Sequence, residues 1–148
     1  MTIRATLDSN VLIYAALEPQ TDKGKRAART IELATDHGII AAQALLEFVA
    51  VVRRRAPSLT AQAVAQAAAW TTVFETAPTT ALVANAALQV VGRHKFQVWD
   101  AVIWTASRIA GATVFLSEDL QDGLVLDGMR VVNPFIQSDA DLAKLLGG

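Results

Sequence analysis

Four acidic residues stand where an apolar segment ends or a helix begins: Asp8 closing TIRATLD, Glu47 inside AAQALLEFVAVV, Asp100 in FQVWDAVIWTAS, and Asp119 just after ATVFLSE. A carboxylate so placed must face water or bear a desolvation cost, and several converging on one cleft repel each other unless a cation lies between them. The chain has no cysteine and two histidines, His37 and His94, which leaves hard-cation, all-oxygen ligation as the available chemistry. The arrangement reads as a metal site. Each acid also has a plainer role open to it: a helix cap for Asp8, a favourable first-turn acid for Asp100, a solvent-facing helix position for Glu47 and a turn for Asp119. Their joint occurrence favours the chemical reading.

The elements that must position these acids follow from apolar spacing. Ile3, Ala5 and Leu7 alternate with Arg4 and Thr6, which suits a strand, and Ser9 or Asn10 can cap a short helix through VLIYAAL. The run from Lys23 to His37 is amphipathic, with Gly38 as its terminator, and Gly38 to Ala41 gives a short buried strand. From Ala42 the spacing of Leu45, Phe48, Val49 and Val52 is helical until Pro57, so Glu47 rides on a helix. Thr60 to Val73 is a further helix, FETAP a short extended piece, and Thr79 caps a helix running to Gly92. Trp99, Val102, Ile103, Ala106 and Ala110 mark the next buried helical face, ended by Gly111, before strands at TVFLS and MRVVNP.

Alternating strands and helices predict an α/β three-layer sandwich: a mostly parallel central sheet flanked by helices, with residues 1–148 as a single domain. In such sheets the ligand cleft lies at the carboxyl ends of the strands. Asp8 and Asp119 each follow a strand directly and belong to that edge. Asp100 falls in the first turn of its helix, where the dipole tolerates negative charge, and Glu47 needs about one turn of helix to reach the same cleft.

Composition sets the outer bounds. At 148 residues, 53% of them hydrophobic, the chain can bury a substantial core. The richest apolar runs are broken by Glu47 and Arg108, which excludes a membrane span. Asp8 interrupts any N-terminal export signal, which points to the cytoplasm. A formal charge of −1 gives no sign of nucleic acid. Three basic clusters, Lys23/Lys25/Arg26/Arg29, Arg53/Arg54/Arg55 and Arg93/His94/Lys95, are more often solvated helix faces than binding sites, yet together they favour a polyanion. Trp70, Trp99 and Trp104 fall on helical apolar spacings and are read as core or interface rather than as base-stacking platforms; His94 is read as a surface residue.

At DSNVLIY, followed in order by QALLEF, WDAVIWTAS and LSEDL, the sequence resembles the PIN-domain nucleases and, at this length, their VapC-like toxin branch. The resemblance covers nearly the whole chain. It implies a parallel sheet flanked by helices, and an acidic cluster of Asp8, Glu47, Asp100 and Asp119 that binds Mg²⁺ or Mn²⁺ and drives RNA hydrolysis. By position, Ser9 falls near the metal or phosphate and Ser117 supports Asp119. Asp122 is a candidate outer acid, and Glu118 competes with Asp119 as a ligand, although adjacent residues at a strand end point in opposite directions. The chain departs from the family pattern at Ala41 and Gln97, where a serine is usual.

The reaction implied is metal-dependent phosphodiester hydrolysis by an endoribonuclease, the toxin of a toxin–antitoxin pair. Asp8 and Asp100 would be direct ligands, Asp119 would complete the site, and Glu47 would bind through water or orient the nucleophile. The partners implied are an RNA substrate and a cognate antitoxin, and the high apolar content fits a homodimer. Two other functions remain open on the residues alone. One is an aspartyl phosphatase or phosphotransferase using Asp8 as nucleophile, weakened by Asn10 where a second acid is expected. The other is the same fold as a non-catalytic binding module. A dinucleotide-binding fold is disfavoured because no Gly-rich turn follows the first strand.

Overall fold

The computed structural model describes residues 3–147. Six short strands, β1 (Ala5–Leu7), β2 (Ile39–Ala41), β3 (Glu75–Ala77), β4 (Val114–Leu116), β5 (Val125–Leu126) and β6 (Met129–Val132), form one sheet in the order β3-β2-β1-β4-β6-β5. All neighbours are parallel except β5 and β6. In register, Ala5, Thr6 and Leu7 stand beside Val114, Phe115 and Leu116. The helices are α1 (Ser9–Leu17), α2 (Asp22–Ala34), α3 (Ala42–Arg55), α4 (Thr60–Val73), α5 (Ala81–Arg93), α6 (Val98–Ile109) and α7 (Asp139–Gly147), with a 3-10 turn at Pro57–Leu59.

The two-residue period of each strand sends side chains to two separate cores. Leu7, Ile40, Leu116 and Val132 pack with Leu12, Ile31, Phe48, Trp70 and Leu142 from α1, α2, α3, α4 and α7. Ile39, Ala41, Phe115 and Val131 face the other way, onto Val83 of α5 and Ile103 and Trp104 of α6. Thr6 also points to that second side, where its hydroxyl meets Ser107 of α6 at 2.9 Å, so a polar position in a buried strand is satisfied across the layer. This is the expected three-layer sandwich. Among the described residues no helix is long and apolar enough to cross a membrane.

Several boundaries move from their sequence positions. The first strand begins at Ala5, not Ile3, and Asp8 caps α1 with its own side chain instead of leaving that to Ser9 or Asn10. The second helix ends at Ala34, before His37, which takes a left-handed conformation (φ 63°). Gly38 is needed for space: a Cβ there would lie 2.1 Å from the Ala34 carbonyl oxygen and 2.6 Å from the Phe74 ring. Thr80, one residue after the expected Thr79, caps α5 by accepting the Val83 N–H. Neither Ala41 nor Gln97 supplies a side-chain cap to the helix it precedes. The β5–β6 hairpin and α7 lie beyond the sequence expectation; Asp127 and Gly128, both at positive φ, form the two-residue turn that suits a twisted hairpin.

Trp99 departs from the buried helical face expected of it. Trp104 and Trp70 are buried as expected, but Trp99 is 59% exposed on the first turn of α6. The helical period places it beside the apolar stripe, and the stripe that α6 buries runs instead through Ala101 to Ser107. The basic cluster of α2 is largely absorbed by the fold: Lys23 pairs with Glu118, Arg26 donates to the Gln137 carbonyl, and Arg29 pairs with Glu32 and Asp139. Arg53, Arg54 and Arg55 are exposed at the C-terminus of α3, where cations complement the helix dipole.

Candidate functional site

The sheet order reverses at β1: the chain steps outward through β2 and β3, then returns to place β4 on the other flank. A crevice opens beyond the carboxyl ends of strands at such a point, and Asp8 sits in it. Its N–H donates to the Leu116 carbonyl at 3.0 Å, carrying the β1–β4 ladder one residue past the strand. Its side chain is 1% exposed and fully engaged. Oδ1 accepts the Ser9 N–H at 2.8 Å, and Oδ2 accepts the Ser117 hydroxyl at 2.7 Å and, more loosely, Asn10 Nδ2 at 3.4 Å. Ser117 Oγ in turn accepts the Asp119 N–H at 3.0 Å. One buried hydroxyl thus ties the end of β1 to the loop that carries Asp119.

The other acids converge on the same place. Ser9 Oγ donates to Glu47 Oε1 at 2.9 Å, bringing the second turn of α3 against the start of α1. Glu47 Oε2 is buried with no partner. Burial pushes the Asp8 carboxyl up to about 7, against the lowering effect of the Ser117 bond, with the Asp100 and Asp119 charges raising it further. Asp100 is pushed up to about 6 by burial, then by Asp119 and Glu47. These carboxylates therefore feel one another's charge, although among the described residues no three His, Cys, Asp or Glu side chains stand together closely enough to hold a metal ion.

Two neighbouring acids turn elsewhere. Glu118 accepts the Tyr14 hydroxyl at 2.8 Å and pairs with Lys23; burial would raise its carboxyl, but Lys23 and Tyr14 outweigh it and hold it below the usual range. Lys23 lies over the Tyr14 ring at 4.2 Å and near that of Phe135 at 5.1 Å. Past the end of β4, Glu118 thus turns to Tyr14 and Lys23, while the Asp119 charge is felt by Asp8 and Asp100. Asp122 is exposed and accepts the Asn133 N–H at 2.8 Å, outside the couplings that join the other four. Sequence reading missed Asn10 as a site residue. It reaches Asp8 and Ser117, and its buried Oδ1 is unpartnered; its place two residues after a capping Asp was the available signal.

A parallel α/β sheet with carboxylates gathered at its switch point defines the class. Residues 5–121 match the PIN domain family, and the chain belongs to it. No curated protein sequence matches significantly. Among solved structures the fold is similar to VapC20 of Mycobacterium tuberculosis, described as a sarcin-ricin loop cleaving toxin. That match has TM-score 0.63 and 21% identity, and covers 78% of this chain and 89% of that one. A toxin–antitoxin complex from Klebsiella pneumoniae (TM-score 0.65, 18% identity) and DNA-bound VapBC from Salmonella typhimurium (TM-score 0.65, 15% identity) each match over 88% of this chain and 97% of theirs.

Proposed function

We propose that this chain is a metal-dependent endoribonuclease, the toxin of a toxin–antitoxin pair, with Asp8, Glu47, Asp100 and Asp119 as its acidic site. The observation that carries the reading is the burial of Asp8 at the switch point of a PIN fold, facing the charges of Asp100 and Asp119. A fold does not by itself give an activity; the concentration of like charge at this one crevice is the site-level support.

The donor set fits a hard divalent cation such as Mg²⁺ or Mn²⁺. All four side chains offer oxygen, and Glu47 Oε2 is a buried acceptor without a donor. A hard ion of this kind keeps several waters and can be held by one or two carboxylates directly. Asp8 and Asp100 would hold it, Asp119 and Glu47 would reach it directly or through water, and Ser117 and Asn10 would keep Asp8 in place. When bound, such an ion supplies an activated water and charge stabilisation at a scissile phosphate. Ser9 holds Glu47 and fixes the acceptor that can orient the attacking water. An antitoxin is the expected protein partner, covering the crevice, and a homodimer the expected assembly.

The test is to incubate partner-free protein with structured and single-stranded RNAs in Mg²⁺, Mn²⁺ or EDTA, beside Asp8→Asn and Asp100→Asn. Metal-dependent cleavage lost in both variants is the expected result. Cleavage retained in both sinks the site assignment, and RNA binding without cleavage under any metal favours a non-catalytic module.

A further inference from the structure

Trp99 is the exposed tryptophan of the three, and in the chain it is the immediate neighbour of Asp100, one of the acids of the crevice. It precedes Asp100 in the first turn of α6, so their Cα atoms are about 3.8 Å apart, and Val98 beside it is 51% exposed as well. An indole left in water next to a group of carboxylates contributes nothing to the core and presents a large apolar face. The segment that leads into it carries Arg93, His94 and Lys95, all exposed. This corner is held firmly: the His94 ring lies 6.3 Å from Phe96, which packs edge-on against buried Trp104 at 5.6 Å, and Trp104 packs against Phe115 of the central sheet.

A second observation lies on the same corner. Arg93 and His94 line a cavity of about 180 Å³ together with Gln89, Arg108 and Asp127. Two guanidinium groups in that lining meet the single carboxylate of Asp127. An aromatic face beside a basic run is the composition that single-stranded nucleic acid requires: bases stack on the ring while the backbone follows the positive groups.

We propose that Trp99 is a base-stacking platform that positions a single-stranded RNA segment at the acidic crevice, with the backbone leading away over Arg93, His94 and Arg108. This rests on the nuclease reading and adds to it the residue that seats the strand.

The experiment measures cleavage of short, mixed-sequence single-stranded oligoribonucleotides by wild type, Trp99→Ala and Trp99→Phe. It also follows tryptophan emission as the same RNA is titrated into Asp8→Asn protein. Trp70 and Trp104 are buried, so quenching reports Trp99. Expected are a rise of about tenfold in KM for the Ala variant, with the loss falling on KM more than on kcat, recovery of most of it by Phe, and quenching that disappears in the Phe variant. An unchanged KM in Trp99→Ala with wild-type cleavage intact overturns the platform and leaves the nuclease reading standing. Absence of any RNA binding or cleavage by wild type removes both. Emission that changes with protein concentration alone, with weaker self-association in Trp99→Ala, overturns the proposal in favour of a contact between copies.

Discussion

Replacing Asp8 with Asn should stabilise the metal-free protein at neutral and alkaline pH. The unfolded chain releases the Asp8 proton near 3.8, whereas burial and the neighbouring charges hold it in the folded state until about 7. Between those values the native state binds the proton that the unfolded state has lost, so stability falls as pH rises. The contribution is fully present below about 4 and gone above about 7, and a difference of this size is worth roughly 4 kcal/mol at most. Asn keeps the shape and the cap without the charge. Asp100 also titrates late, through burial and then Asp119 and Glu47; because Asp8 and Asp100 repel each other, removing the Asp8 charge also eases Asp100 ionisation and adds to the advantage of Asn as pH rises. The assay is urea unfolding in EDTA at several pH values from 5 to 8. The advantage of Asp8→Asn over wild type should grow by at least ~1–2 kcal/mol across that range, and added Mg²⁺ should reverse it by stabilising wild type alone. An advantage independent of pH, or a wild type more stable at pH 8, would refute the reasoning.

Ser117→Ala removes a bond that lowers the Asp8 pKa and the acceptor for the Asp119 N–H; the acid limb of the cleavage pH profile should move to higher pH, and an unmoved limb would show that Asp8 does not set it. Gly38→Ala puts a methyl against the Ala34 carbonyl and the Phe74 ring and should cost about 1–3 kcal/mol, read as a lower urea midpoint with an unchanged slope.

How much of this was legible in the sequence depends on which interaction dominates each element. The strands at Ile39–Ala41 and Val114–Leu116 are buried on both faces and showed as apolar runs, the first strand showed by alternation although Thr6 is itself buried, and the helices of α3 and α6 showed their period because one side packs against the sheet. Those signals fixed the order of elements and placed the acids at one edge. Trp99 was misread because one apolar position at a helix start cannot reveal which side of the stripe is covered. The role of Glu118 was invisible for a different reason: its partners, Tyr14 and Lys23, lie 104 and 95 residues away by number, and only tertiary packing brings them together. Asn10 and Ser117 could be suspected from proximity in sequence to an acid, but their joint hold on Asp8 needs the β1–β4 pairing.

Asp8 both caps α1 and carries the charge at the centre of the crevice. Those two jobs tolerate different substitutions. Asn caps a helix about as well as Asp, whereas Ala loses about 0.5–2 kcal/mol. Alleles recovered for loss of activity at this codon should therefore fall into two classes: Asn changes that accumulate as intact protein, and Ala or larger apolar changes whose abundance falls as well. Scoring protein level beside activity across a saturation library at position 8 would separate the helix start from the chemistry without a structure of any variant.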